Sequence, residues 1–229
     1  MKITYIHHSC FSVELDKSIL LFDYFKGDLP KFDKNKKLYV FSSHQHYDHF
    51  SSVIFNLEKE YENVKYILSN DISCRKSENT VFVGVNKDIE VDELRIRTLE
   101  STDLGVAFLI NVEGKNIYHA GDLNWWHWEG ENTDAQNKDA GDRFKHEMKK
   151  LKGKKVDVAF LPLDSRQGKQ FYLGFNEFMN MTNTKYAFPM HFWRTYRIID
   201  QLKEMDIASS YKDRVVSINK ENEVFEIEL

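Results

Sequence analysis

The segment that most constrains this chain is His44-Gln45-His46-Tyr47-Asp48-His49, directly after the apolar run Leu38-Tyr39-Val40-Phe41. It packs imidazoles and a carboxylate together, the ligand types that suit zinc, manganese and iron. If the strand formed by the apolar run continues through Ser43, His44 and His46 share one face, because alternate side chains of a strand point the same way. Asp48 and His49 then fall in the turn opening the next helix and reach a different point in space. That arrangement suits two adjacent metal ions better than one. The competing reading is a polar turn whose histidines only hydrogen-bond, and the density of ligand-type residues speaks against it.

Composition frames the motif. A chain of 229 residues with 41% hydrophobic and 14% aromatic residues can bury a substantial core, so disorder is excluded and one domain over 1–229 is expected. A net charge of −4 argues against a general nucleic-acid footprint. The basic run Lys149, Lys150, Lys152, Lys154, Lys155 reads as a solvated helix end. Cys10 and Cys74 suggest neither a disulfide framework nor a cysteine zinc site. No apolar run approaches the ~20 residues that cross a bilayer, and the N-terminus lacks the apolar core of a signal peptide. A cytoplasmic protein without a membrane partner is the expectation; its oligomeric state is open.

Strands are expected at Lys2–Ile6, Phe11–Leu15, Ile19–Tyr24, Leu38–Ser42, Val64–Leu68, Val81–Val83, Ile89–Val91, Leu94–Leu99, Ala107–Val112, Asn116–His119, Val156–Leu161, Lys185–Pro189, Val215–Ile218 and Val224–Ile227. Helices are expected at Val53–Tyr61, Asp139–Leu151, Phe175–Met181 and Thr195–Met205. Such a pattern fits several α/β architectures.

The motif is the HxHxDH signature of the metallo-β-lactamase superfamily, and the chain resembles that family along most of its length. Tyr118-His119-Ala120-Gly121-Asp122 is similar to the family's Gly-Asp turn, and Pro189-Met190-His191 to its final ligand at a strand end. His8-Ser9-Cys10-Phe11 followed by Leu20-Leu21-Phe22-Asp23 resembles the opening of the branch that includes ascorbate-phosphate lactonases. The resemblance implies a four-layer αββα sandwich. It also implies metal ligands His44, His46, Asp48, His49, Asp122 and His191, with Asp122 bridging two ions and Asp48 and Asp122 in catalytic roles. One or two divalent ions follow, zinc first, with manganese or iron as alternatives. The chain departs from the family where a third His is expected: Ser101 stands there, a poor ligand, with Asp103 two positions on. Phe50-Ser51-Ser52 replaces the usual Gly-Gly, and its serines can cap the following helix.

Further candidates for substrate contacts or support of the ligands are His8, Ser101, Asp103, His119, Asn124, Trp125, Asp164 and Arg166. At least one of Trp125, Trp126 and Trp128 is expected to wall a pocket, since Asp122 fixes the start of their loop. His119 is read as a buried strand residue and not a ligand. An Asp–Arg surface pair is the plainer reading of Asp164 and Arg166, and a satisfied core histidine that of His8. The implied activity is metal-dependent hydrolysis, in which an activated water attacks an ester, lactone or phosphodiester of a small molecule. His46 favours hydrolysis over redox chemistry, because diiron flavoprotein relatives usually carry Glu there. The alternative is a non-catalytic metal-binding or ligand-sensing protein on a degenerate scaffold.

Overall fold

Alternating burial along short segments builds a sheet-rich molecule: in Leu94–Glu100 the side chains of Leu94, Ile96 and Thr98 are buried while Arg95 is exposed. The structure is a computed structural model describing residues 1–74 and 76–228. Its strands are β1 (Lys2–His7), β2 (Cys10–Glu14), β3 (Ser18–Phe22), β4 (Lys37–Ser42), β5 (Val64–Ser69), β6 (Thr80–Val83), β7 (Asp88–Val91), β8 (Leu94–Glu100), β9 (Val106–Val112), β10 (Lys115–His119), β11 (Lys155–Pro162), β12 (Asn183–Met190) and β13 (Glu223–Glu226). The helices are α1 (Asp134–Lys149), α2 (Leu173–Met181) and α3 (Arg197–Glu204).

Two mixed sheets result. One has the order β13-β1-β2-β3-β4-β5-β6, antiparallel up to β3 and parallel beyond it. The other has the order β12-β11-β10-β9-β8-β7, parallel from β12 to β10 and antiparallel beyond. Their inner faces meet in one aromatic core, with Phe11 4.4 Å from Phe160 and Phe41 5.2 Å from Phe108, centroid to centroid. On the outer face of the six-stranded sheet, Tyr118 stacks on Phe178 of α2 at 4.7 Å. The outer face of the other sheet is covered by Phe32, Ile54, Leu57 and Tyr61, which pack over Ile19, Leu21, Leu38, Val40 and Tyr66. The two-sheet α/β architecture implied by the resemblance is therefore present, with a thinner layer on this second side.

Several boundaries differ from expectation for local reasons. The helix expected at Val53–Tyr61 is a 3-10 helix, Ser52–Lys59, capped by the Ser51 side chain. α1 begins five residues before the expected Asp139, because Thr133 and Gln136 form a reciprocal capping box. β3 stops at Phe22 because Asp23 turns into the left-handed region at φ +46°. Val215–Ile218 is not a strand. It makes a single bridge to Ala187, and its buried Val215 and Ile218 fill core space beside β12.

Candidate metal centre

β4 ends at Ser42, so the common direction of His44 and His46 comes from the loop, not from strand alternation. His44 Nε2 nonetheless lies 3.0 Å from His46 Nδ1. The amides of His49 and Phe50 both donate to the His46 carbonyl, closing a turn that carries Asp48 and His49. Gly121 makes this loop possible from the other sheet: at φ +51° a Cβ there would stand 2.6 Å from the Ser43 Cβ. Asp122 follows at once, and His191 follows β12 directly. Strand ends from both sheets thus meet at one edge.

The imidazoles are fixed from behind. Asp23 accepts from the Ser43 amide, the Ser43 hydroxyl and His49 Nδ1, each at 2.7 Å. His44 Nδ1 lies 3.0 Å from the same Ser43 hydroxyl, whose proton is committed to Asp23, so the ring donates. His191 Nδ1 donates to the fully buried Asp164 at 2.9 Å. Acceptors on the Nδ1 side leave the three Nε2 atoms facing inward, the atoms through which imidazole binds a cation. They converge on Asp122: His49 Nε2 is 3.2 Å and His191 Nε2 3.5 Å from Oδ1, while His44 Nε2 is 3.6 Å from Oδ2.

Among the described residues, two groups of ligand-type atoms result, each with members within 4.8 Å of one another: His8, Asp48, His49 and His191, buried except for Asp48 with its side chain 13% exposed, and His44, His46, Asp103 and Asp122, partly exposed. His49 Nε2, Asp122 Oδ1 and both ring nitrogens of His8 are buried with no hydrogen-bond partner among the described residues. Buried polar atoms without partners are costly, and several converging on one point fit a cation. Electrostatics agree. Burial alone would raise the Asp122 carboxyl, but His49, His191 and His44 outweigh it and hold it well below the usual carboxylate range. Burial likewise opposes charge on His49, yet Asp122 and Asp23 push it up to about 9. His44, with burial dominant, falls to about 4. Asp103 is raised by burial and by Asp122, a repulsion that a shared cation relieves.

Ser101, at the expected third-His position, is buried and points into its own turn, where its hydroxyl accepts the Asp103 amide at 3.1 Å. Asp103 stands forward instead, 3.5 Å from His46 Nδ1. Asp164 and Arg166 are not a surface pair: the guanidinium forks onto the buried carboxylate at 2.5–3.0 Å. The same carboxylate holds His191. A cavity of about 830 Å³ opens over both ligand groups, lined by Trp126, Trp128, Trp193, Tyr47, Arg143 and Arg166 among others.

Three candidates lie elsewhere. Trp125 turns away from the cavity; its indole packs on Gly141, and Lys145 Nζ sits 4.0 Å above its ring. Its neighbour Trp126 faces inward, tied by Nε1 to the Asp122 carbonyl at 2.9 Å and stacked on Trp128 at 5.6 Å. Asn124 is buried outside the cavity lining, and its amide donates to Gln167 at 3.0 Å. His119 is a buried strand residue stacked on Phe22, donating from Nε2 to the Ser9 carbonyl at 2.9 Å. Sequence reasoning assigned no role to Asp23, Trp193 or Arg143. An acid closing the apolar run Leu20-Leu21-Phe22 was the available signal for Asp23; Trp193 and Arg143 carry none.

Residues 2–191 match the family described as the beta-lactamase superfamily domain. A UPF0173 metal-dependent hydrolase of Alkaliphilus metalliredigens is 25% identical over 240 residues, covering 94% of this chain and 93% of the relative. One from Korarchaeum cryptofilum is 24% identical over 246 residues, covering 99% and 100%. Among solved structures, a metallo hydrolase from the archaeon Ignicoccus hospitalis superposes with a TM-score of 0.66 at 19% identity, covering 99% of both chains. The metallo-beta-lactamase fold protein YhfI from Bacillus subtilis gives 0.59 at 13% identity, covering 98% and 99%. With this domain spanning most of its length on the two-sheet fold described above, the chain belongs to the metallo-β-lactamase superfamily.

Proposed function

We propose that the protein is a metal-dependent hydrolase of a small-molecule ester, lactone or phosphodiester, working in the cytoplasm with one or two divalent ions, zinc foremost. Asp48, His49, His191 and Asp122 Oδ1 would hold one cation; His44, His46, Asp103 and Asp122 Oδ2 the other. The observation that carries this reading is the convergence of the His44, His49 and His191 Nε2 atoms on the two oxygens of Asp122. A divalent cation bound there polarises a carbonyl or phosphoryl oxygen and makes water more acidic at neutral pH.

The chain's own residues supply the rest. Asp48 lines the cavity and its carboxyl is held down to about 2, against its own burial, by His8 and His49; it is therefore ionised and able to take a proton from the attacking water. Arg166, immobilised by Asp164, lies 5.7 Å from both Trp128 and Trp193 and presents a fixed positive edge to the substrate's oxygen atoms. The tryptophans wall off the organic part of the substrate. Cyclic esters enter the proposal through the lactonase-like opening at His8–Phe11. A non-catalytic role drew its support from the absent third histidine, and Asp103 now stands beside that gap. The test is turnover of an ester, lactone and phosphodiester panel by wild type, His46→Ala and Asp122→Ala. At least a hundredfold loss in both variants is expected; equal turnover in all three proteins refutes the proposal.

A further inference from the structure

We propose that His8 is itself a cation ligand, so that protein side chains close the buried position while the other position stays open to solvent. This rests on the reading of the site as a metal centre.

His8 occupies the two-residue turn between β1 and β2, where His7 pairs with Cys10. Its φ is +54°, a left-handed conformation in which glycine is the ordinary choice and imidazole is strained. The turn is pinned at both backbone atoms: the Tyr5 hydroxyl accepts the His8 amide at 3.1 Å, and the His8 carbonyl accepts the His191 amide at 3.4 Å. That second bond couples the turn to a ligand of the opposite sheet. His8 is 1% exposed, and neither ring nitrogen has a hydrogen-bond partner among the described residues. A histidine satisfied within the core would have one.

Its surroundings show where the unused lone pair is directed. The ring lies 4.3 Å from that of His191 and 5.6 Å from that of His49. Nε2 is 3.4 Å from Asp48 Oδ2. Trp193 covers the ring at 4.0 Å and separates it from the cavity. Sharing a cation with Asp48, His49 and His191 gives His8 Nε2 and His49 Nε2 the partner that each lacks among the described residues. Asp122 Oδ1, 3.2 Å from His49 Nε2, supplies a fifth donor. With that many protein donors the position resembles a structural site, whereas catalytic sites keep a coordination place free. The second group has that freedom, since the side chains of His46 and Asp103 are 42% and 41% exposed.

The experiment combines chelator competition with X-ray absorption on zinc-loaded protein. Wild type is compared with His8→Asn, because asparagine tolerates a left-handed backbone; circular dichroism monitors the fold. The expected result is a tight and a weak class of zinc, with the tight dissociation constant raised about tenfold or more in the variant and the weak one unchanged. In wild type alone, the first equivalent should show three imidazoles. Two imidazoles at one equivalent, or an unchanged tight constant in a folded variant, overturns the assignment of His8 and leaves the metal centre standing. A wild type that binds no zinc overturns both.

Discussion

Asp23 holds Ser43 and His49 through both of its oxygens, so the aim of the HxHxDH imidazoles depends on a residue twenty-one positions upstream of the motif. Burial would raise its carboxyl, but His49 and His119 hold it down and keep it ionised. Asp23→Asn places an amide where His49 Nδ1 needs an acceptor. Metal affinity measured by chelator competition should fall by about 10- to 100-fold; unchanged affinity would show that the turn, not the carboxylate, orients His49. At this scale the sequence revealed chemistry better than geometry. His44 to His49, Asp122 and His191 could be named because ligand-type residues stand out by type. The contacts that aim them could not, because Asp23, Ser43 and Asp164 are ordinary polar residues until the fold brings them together. Trp125 and Trp126 show the same limit: only the backbone after Asp122 decides which indole faces the cavity.

At the scale of elements, the strands were legible wherever burial alternates or runs unbroken, and their ends were not. β3 ends where Asp23 turns to meet Ser43, and α1 begins where Thr133 and Gln136 cap it, neither of which hydrophobic periodicity records. Val215–Ile218 has a strand's composition but packs as an extended segment with a single bridge. Glycines test how tightly the two sheets meet at the site. At Gly114, φ +73° in the β9–β10 turn, an added Cβ would meet nothing within 4 Å, whereas at Gly121 it would come to 2.6 Å from Ser43. Gly114→Ala should lower stability in urea by only the left-handed penalty of roughly 1 kcal/mol. Gly121→Ala should lose roughly 3 kcal/mol, because overpacking adds to that penalty. Equal losses would mean that the strand ends are free to move apart.

Over the whole molecule, two sheets with a shared aromatic core bring residues 8, 48, 49, 122 and 191 to one edge, which no local pattern could announce. The resemblance supplied that layering in advance; the strand-and-helix order alone fitted several α/β architectures. What the fold then gathers includes the buried Asp122 carboxylate and the His8 and His49 imidazoles, with atoms that lack partners among the described residues, an arrangement that a shared cation explains. Elemental analysis of folded wild type and folded Asp122→Ala tests that claim most directly, because Asp122 faces both groups. The account predicts bound divalent transition metal in the wild type, approaching two equivalents at saturation, and loss of most of it in the variant. A folded wild type without such metal, or equal metal content in the two proteins, would contradict it.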